Sequence, residues 1–311
     1  MTETVWTIKS TLDWTVGYLE RKGDENPLLS AQWLLCDATG LSRIELYTNF
    51  DKPLTMEERD VLRVAVSRRG AGEPLQYITG EVGFRYITVK VEPGVLIPRP
   101  ETEVLVSEAL AELNLPRVAD RVESSDDGTD CIVEPDLPAI DVLDMCTGTG
   151  CIACSIAHEY PAAHVLATDI APEALALAQK NANLLGLDER IEVIESDLFD
   201  AISASSQDRF DLIVSNPPYI PTAILAGLDR EVVDFEPTLA LDGGEDGLDL
   251  FRRMITPALQ CLKPGGVLAV ELHEDCLDQA CQLVCEAGFD QARIVKDLAG
   301  RDRILIAHRP Q

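Results

Sequence analysis

IDVLDMCTGTGCIACSIA, Ile140–Ala157, is the stretch whose reading decides the fold. IDVLDM is a strand-like apolar run, and the residues after the glycines are compatible with a helix. Glycines in a strand-to-helix turn let a ligand approach the backbone closely, at the carboxyl end of a sheet, where open α/β folds bind ligands. Further strand-like runs follow at HVLAT, IEVI, DLIV, GVLAVEL, ARIVK and RILIAHR, and helical stretches such as PEALALAQKNANLLG separate several of them. That alternation predicts a mostly parallel, doubly wound α/β sheet.

Upstream the pattern changes. Helix-period apolar spacing runs through Ile8, Leu12, Val16 and Leu19, then Leu28, Leu29, Trp33 and Leu34, then Val61, Leu62, Ala65 and Val66. Breaks at Gly23–Pro27, Thr39–Gly40 and Gly70–Pro74 divide these into a small helical bundle, whose interior Trp6, Trp14 and Trp33 are expected to fill. YITGEVGFRYITVKVEPG, Tyr77–Gly94, is rich in β-branched and aromatic residues with interspersed glycines and predicts a hairpin joining the two parts. The expected division is a helical domain over 1–76, a hairpin linker over 77–95 and the α/β domain over 96–311. A helix is expected over Glu101–Leu113. Asn114–Pro138, with seven acidic and two basic residues around ESSDDGTD, is expected to be an acidic surface insertion.

Composition narrows the function. Apolar residues make up 46% and charged residues 26% of the 311, enough to bury a full core. The net charge of −28, with no basic run, argues against a nucleic acid backbone as the main partner, because phosphate binding draws on clustered Lys and Arg. The first residues, MTETVWTIKS, lack the basic-then-apolar form of a signal peptide, so a cytoplasmic protein with free thiols among its nine cysteines is expected.

The glycine turn by itself is ambiguous. Gly148–Ala153 fits the G-x-G-x-x-A form of dinucleotide binding, which keeps a nicotinamide-dependent oxidoreductase in view. Asp169, at the end of the next strand, can accept hydrogen bonds from both hydroxyls of a ribose. Asp144, before the glycines, can meet the cationic end of a ligand, and Asp197-Leu198 follows the third strand, where an adenine edge can be bonded. DLIV then runs straight into Asn216-Pro217-Pro218-Tyr219. Proline fixes φ and lacks an amide hydrogen, so this corner is a stiff exit from a strand.

These four elements together, the glycine turn, the ribose acid, Ser-Asp after the third strand and NPPY after the fourth, resemble the class I S-adenosylmethionine-dependent methyltransferases. NPPY there marks enzymes that methylate planar nitrogen. PLQYITG (Pro74–Gly80), LIPRPETE (Leu96–Glu103), Phe235-Glu236-Pro237 and Gly300-Arg301-Asp302-Arg303 are similar to the peptide chain release factor N(5)-glutamine methyltransferase family, over nearly the whole length.

The resemblance implies a Rossmann-like, seven-stranded, mostly parallel sheet with helices on both faces, preceded by the small helical-bundle domain, which would recognise the substrate protein. It implies S-adenosylmethionine as cofactor and, as protein partner and substrate, the glutamine of the Gly-Gly-Gln motif in class 1 peptide chain release factors. By the same resemblance Asp144 and Cys146, Thr147, Gly148, Thr149 and Gly150 would line the methionine part, Asp169 would hold the ribose, and Asp197 with Leu198 would read the adenine. Asn216 would bridge cofactor and substrate. Asn216, Pro217, Pro218 and Tyr219 would form the catalytic, substrate-binding corner: the Asn216 side-chain oxygen and the Pro217 carbonyl each accept one N–H of a carboxamide, and Tyr219 packs on it. Pro98, Arg99 and Glu101 would approach the same cleft. Cys146 departs from the family, which usually has glycine there, and the acidic segment is longer than typical.

Other readings compete. An N(6)-adenine methyltransferase would use the same two acceptors, but needs a target-recognition domain or basic surface. The oxidoreductase leaves NPPY unexplained, and a non-catalytic cofactor-binding adaptor has no need of it. Cys151-x-x-Cys154 with His158 has a zinc-like spacing, but on one helix and without a second ligand pair it reads as buried thiols, and no metal is expected. Arg99 equally suits a structural ion pair.

Overall fold

The computed structural model describes residues 5–113, 122–124, 130–132, 137–202 and 206–311. The chain divides into two compact units: Met1–Glu81 with Val91–Pro93 and Asp229–Phe235, and Val82–Lys90 with Gly94–Leu228 and Glu236–Gln311.

The first unit is helical. It contains α1 (Ile8–Lys22), α2 (Pro27–Thr39), α3 (Arg43–Thr48), α4 (Met56–Gly70) and α5 (Leu75–Thr79). Local chemistry sets the starts: reciprocal side-chain and backbone bonds between Thr7 and Ser10, Ser42 and Glu45, and Thr55 and Glu58 cap α1, α3 and α4, while proline opens α2. Ile8, Leu12, Leu19, Leu34, Leu35, Leu62 and Val66 form its core.

The aromatic expectation fails in part. Trp14 and Trp33 are 49% and 44% exposed, and Leu28, Leu29 and Val61 are exposed too. Adjacent apolar residues such as Val61 and Leu62 fall about 100° apart on a helix, and the bundle buries Leu62 while Val61 faces out. Trp14 instead stacks on Tyr18 at the surface, ring centroids 5.4 Å apart. Tyr77, read as the start of the hairpin, lies in α5.

The second unit begins with a hairpin, β1 (Glu81–Phe84) and β2 (Ile87–Lys90), whose Phe84, Ile87 and Val89 are buried in that unit's core. The remaining elements are α6 (Pro100–Glu112), β3 (Val122–Ser124), β4 (Asp130–Ile132), β5 (Ile140–Met145), α7 (Cys151–Glu159), β6 (Ala163–Asp169), α8 (Pro172–Leu184), β7 (Ile191–Glu195), β8 (Phe210–Ser215), α9 (Arg230–Phe235), α10 (Asp249–Cys261), β9 (Leu262–Glu271), α11 (Leu277–Ala287), β10 (Asp290–Lys296) and β11 (Asp302–His308). Within the acidic segment β3 and β4 pair antiparallel. The rest of Asn114–Asp136 lies outside the described residues.

Seven strands form one sheet in the order β10-β11-β9-β8-β5-β6-β7. β5 is parallel to both β6 and β8, β6 to β7 and β8 to β9, while β11 runs antiparallel to β9 and β10. This is the expected mostly parallel, helix-covered architecture. Successive residues alternate between two cores: Val142, Leu212 and Val214 join α6, α7 and α8 on one face, and Leu143, Ile213 and Leu268 join α10 and α11 on the other. Each such fully buried side chain contributes roughly 1.5–3 kcal/mol. The chain leaves β5 toward β6 on one side and later returns to β8 on the other, so the carboxyl ends of β5 and β8 flank the topological switch point.

Sequence did not reveal that α9 belongs with the first unit. Glu231 on α9 pairs with Arg69 at 2.9 Å, and Arg69 also holds Asp24 at 2.6 Å. Among the described residues no helix is long and apolar enough to cross a membrane.

Candidate methyl-transfer site

At the switch point lies a cavity of about 250 Å³. Its floor begins where β5 ends. Cys146 takes φ 60°, turning the chain left-handed, and Gly148 and Gly150 follow at 55° and 77°. Only glycine suits Gly150 on both counts: besides its φ, a Cβ there would come within 3.1 Å of the Ala178 backbone on α8.

Two carboxylates hold this turn. Asp169 Oδ2 accepts the Gly148 N–H at 2.9 Å and Oδ1 accepts that of Ala171 at 3.0 Å, so the end of β6 is tied to the turn after β5. Burial pushes the Asp169 carboxyl above its usual value, against the pull of those N–H groups. Asp169 lines the cavity, each oxygen keeping acceptor capacity for a hydroxyl. Asp144 does not line it. Its Oδ2 accepts from Thr147 Oγ1 at 2.6 Å and from the Ala153 N–H at 3.1 Å, behind the turn. Fully buried, with Asp169 nearby, its carboxyl is pushed up to about 7, and Oδ1 has no hydrogen-bond partner among the described residues. The sequence placed this group against a ligand's cationic end; the structure makes it the pin of the turn.

Cys146, Thr147, Gly148 and Thr149 line the cavity, with Asp197 and Leu198 from the turn after β7, whereas Gly150 serves the packing behind. Asp197 is paired with Arg253 of α10 at 2.8 Å, a partner no motif announced. Pro98 and Arg99 also line it and Glu101 does not; Arg99 is held at 2.6 Å by the buried Glu236, so it is both a wall and an ion-pair residue.

Of the stiff corner after β8, Asn216 and Pro218 reach the cavity. Pro217 is buried, and neither it nor Tyr219 contributes to the lining. Tyr219 turns the other way: its hydroxyl donates to Glu271 Oε1 at 3.0 Å, and burial first, then the Glu271 charge, pushes its phenol well above the usual range. The expected stacking of Tyr219 on a carboxamide is replaced by an anchoring role. Asn216 Nδ2 donates to Thr102 Oγ1 at 3.0 Å, and Thr102 donates to Glu271 Oε2 at 2.8 Å. Neither Thr102 nor Glu271 carried a role in the sequence; a lone acid inside the apolar run LAVEL was the only hint.

Cys151 and Cys154 are buried within α7, where desolvation pushes both thiols up, that of Cys154 to about 12. They pack as small apolar groups.

Comparison with known proteins follows this geometry. Residues 10–80 match the family model described as "PrmC N-terminal domain" and residues 122–224 the "Methyltransferase small domain". The chain is 44% identical over 301 residues to "Release factor glutamine methyltransferase" of Geobacter sulfurreducens, covering 97% of this chain and 96% of that one.

The chain belongs to the release factor glutamine methyltransferase family.

A second member, from Rhodopirellula baltica, is 39% identical over 304 residues, covering 97% of this chain and 96% of its own. Among solved structures, the hMettl16 catalytic domain in complex with MAT2A 3'UTR hairpin 6 aligns with 81% of each chain at a TM-score of 0.52 and 14% identity, a likeness of fold. As a member of this family the chain accounts for an otherwise odd donor set. Asp169 with spare acceptor capacity, the left-handed glycine turn and Asp197 line one cavity, a set that would fit the ribose, methionine and adenine parts of S-adenosylmethionine. Cys146 has a physical reading of its own: a residue with a Cβ holds the left-handed backbone and bears its strain.

Proposed function

We propose that this chain methylates the side-chain amide nitrogen of the glutamine in the Gly-Gly-Gln motif of class 1 peptide chain release factors. The observation that carries this reading is that Asn216 and Pro218 line the same cavity as Asp169 and the glycine turn. An acceptor corner and a cofactor cradle thus share one space.

S-adenosylmethionine, when bound, supplies an electrophilic methyl group on a sulfonium and a neutral thioether leaving group. Asp169 would hold the ribose hydroxyls, Asp197 and the Leu198 backbone the adenine, and Cys146 to Thr149 the remainder. An amide nitrogen is a poor nucleophile, because its lone pair is delocalised into the carbonyl. The Asn216 side-chain oxygen, at the cavity wall, accepts one of its N–H groups, fixing the nitrogen as positive charge develops there. The two prolines keep this acceptor from reorganising. No general base is required: the methylated amide, while positively charged, is acidic enough to lose its proton afterwards.

The helical unit is proposed to recognise the substrate protein. Its exposed Trp14, Trp33 and Leu29 support that reading, since aromatic anchors carry much of protein recognition. Release factors work in the cytoplasm, the compartment this function implies.

The test uses labelled S-adenosylmethionine with a release factor, with the same factor bearing a replaced Gly-Gly-Gln glutamine, and with DNA. Label confined to the intact factor is expected. Label on DNA, or on the glutamine-replaced factor to the same extent, overturns the assignment.

A further inference from the structure

The two ends of an asparagine amide have nearly the same shape and opposite hydrogen-bonding character, so a site that needs the oxygen must prevent a half-turn of the side chain. Among the described residues no neighbour along its own strand hydrogen-bonds the Asn216 side chain; its Nδ2 meets a side chain 114 residues away. That partner, Thr102, is itself ambiguous, because a hydroxyl both donates and accepts. What removes the ambiguity is the next member. Thr102 Oγ1 lies 2.8 Å from Glu271 Oε2, and an ionised carboxylate only accepts. The single Thr102 proton is therefore committed to Glu271, and Thr102 can only accept from Asn216. Nδ2 must face Thr102, and Oδ1 is left for the cavity.

We propose that Glu271, although it touches neither the cavity nor the reacting atoms, is a positioning residue that sets the polarity of Asn216 through Thr102. This rests on the reading of Asn216 as the acceptor of a substrate N–H. Glu271 sits at the end of β9 with 1% of its surface exposed, and Thr102 on α6 with 2%. Thr102 borders the cavity, and Glu271 lies behind it. The second Glu271 oxygen accepts from Tyr219, so one carboxylate fastens the corner at both of its ends, Asn216 and Tyr219.

Protonation reverses the relay. A protonated Glu271 can donate to Thr102, whose hydroxyl is then free to donate to Asn216 Oδ1, and the amide turns its nitrogen to the cavity. Burial raises the Glu271 carboxyl, with Glu101 of α6 adding to it, while Thr102, Tyr219 and Arg303 of β11 pull it down; the net direction is upward. Turnover should accordingly fall as pH drops through a value above the ordinary glutamate range, with the relay intact at higher pH.

Glu271→Gln is the decisive variant, since a glutamine fills the same volume but can present either an acceptor or a donor to Thr102. Expected are a kcat about tenfold lower on the release factor, with unchanged equilibrium binding of S-adenosylmethionine, and loss of the acidic limb of the pH profile. In an Asn216→Ala background the same substitution should cost less than about twofold, because its route is gone. An undiminished tenfold loss in that background overturns the proposal, as does an unchanged kcat in the single variant.

A second readout needs no acceptor substrate. The Asn216 side-chain amide resonances of the full chain, assigned by difference against Asn216→Ala, should titrate with Glu271 and stop titrating in Glu271→Gln. If the wild type methylates no release factor, the functional reading fails, while this titration still decides the relay; resonances that ignore Glu271 defeat it.

Discussion

The two halves of the site are built by different means. The proposed cofactor cradle is a turn whose bonds join near neighbours to two carboxylates: Thr147 to Asp144 across three residues, Ala153 to Asp144 across nine and Gly148 to Asp169 across 21. The acceptor corner is a side-chain device whose bonds span 114 residues from Asn216 to Thr102, 169 from Thr102 to Glu271 and 52 from Tyr219 to Glu271. Such a cradle presents left-handed turns held by carboxylates that lie close by along the chain. A side-chain corner works only while several distant elements keep their register. The cradle should therefore govern cofactor affinity, and the corner should govern turnover.

The sharpest way to break that division is Asn216→Ala. Loss of one preorganised acceptor is expected to lower kcat about 10²-fold or more, measured at saturating cofactor. Cofactor affinity, read by calorimetry, should change far less. A near-normal kcat would remove the corner's assigned role. On the cradle side, Asp169→Asn should weaken S-adenosylmethionine binding about tenfold or more, since hydrogen bonds to a charged group are worth roughly 1.5–3 kcal/mol each. Here kcat should largely recover when cofactor is raised. A kcat loss that persists at saturation would show that cradle and corner are not separable.

The same contrast explains what was legible in the sequence. That the glycine turn, Asp169, Asp197 and Asn216 would line one cavity was readable because strand ends, turns and their residues are local, and a doubly wound sheet brings such ends together. The helical period was readable in the first unit, yet it did not tell that Leu28, Leu29 and Trp33 stay exposed while Leu34 and Leu35 are buried, since that is decided by which stripe meets α1 and α4. The pin role of Asp144 was hidden because its position before the turn suits either a ligand or the loop itself. Thr102, Glu271 and Arg253 were illegible for a stronger reason: each acts through a partner brought near only by the folded sheet. The union of α9 with the first unit, through Arg69 and Glu231, was hidden in the same way.

The pin gives a pH test of the cradle. Asp144 is raised in the folded chain from 3.8 to about 7, so the native state holds a proton there that the unfolded state gives up. Its contribution to stability is therefore fully favourable below about 4 and is lost as pH rises toward 7. Other carboxylates titrate in the same window, so the quantity to measure is the stability of the wild type minus that of Asp144→Asn, without cofactor. That difference should fall steadily as pH rises from about 4 to about 7. A flat difference would mean that the carboxyl is already ionised in the fold, and that the turn rests on a charge.

The smallest effect concerns Cys146, where the cradle puts a residue with a Cβ into a left-handed turn. Its φ of 60° costs a residue with a Cβ roughly 1–2 kcal/mol, because the Cβ crowds the following carbonyl. Glycine escapes that cost but gives up roughly 0.5–1 kcal/mol of chain entropy on folding. A plain Cys146→Gly measurement confounds these with the loss of the thiol, which packs against the core on the α10–α11 face. Comparing Cys146→Gly with Cys146→Ala removes the confusion, since both lose the sulfur and only alanine keeps the strained Cβ. Glycine should then be the more stable by about 0.5–1 kcal/mol, a shift of about 1–4 °C in Tm. Elsewhere in a regular element the order is reversed, with alanine favoured. Alanine winning at 146 as well would mean that the turn relaxes when the side chain changes, so that the cradle is less rigid than its hydrogen bonds to Asp169 and Asp144 require.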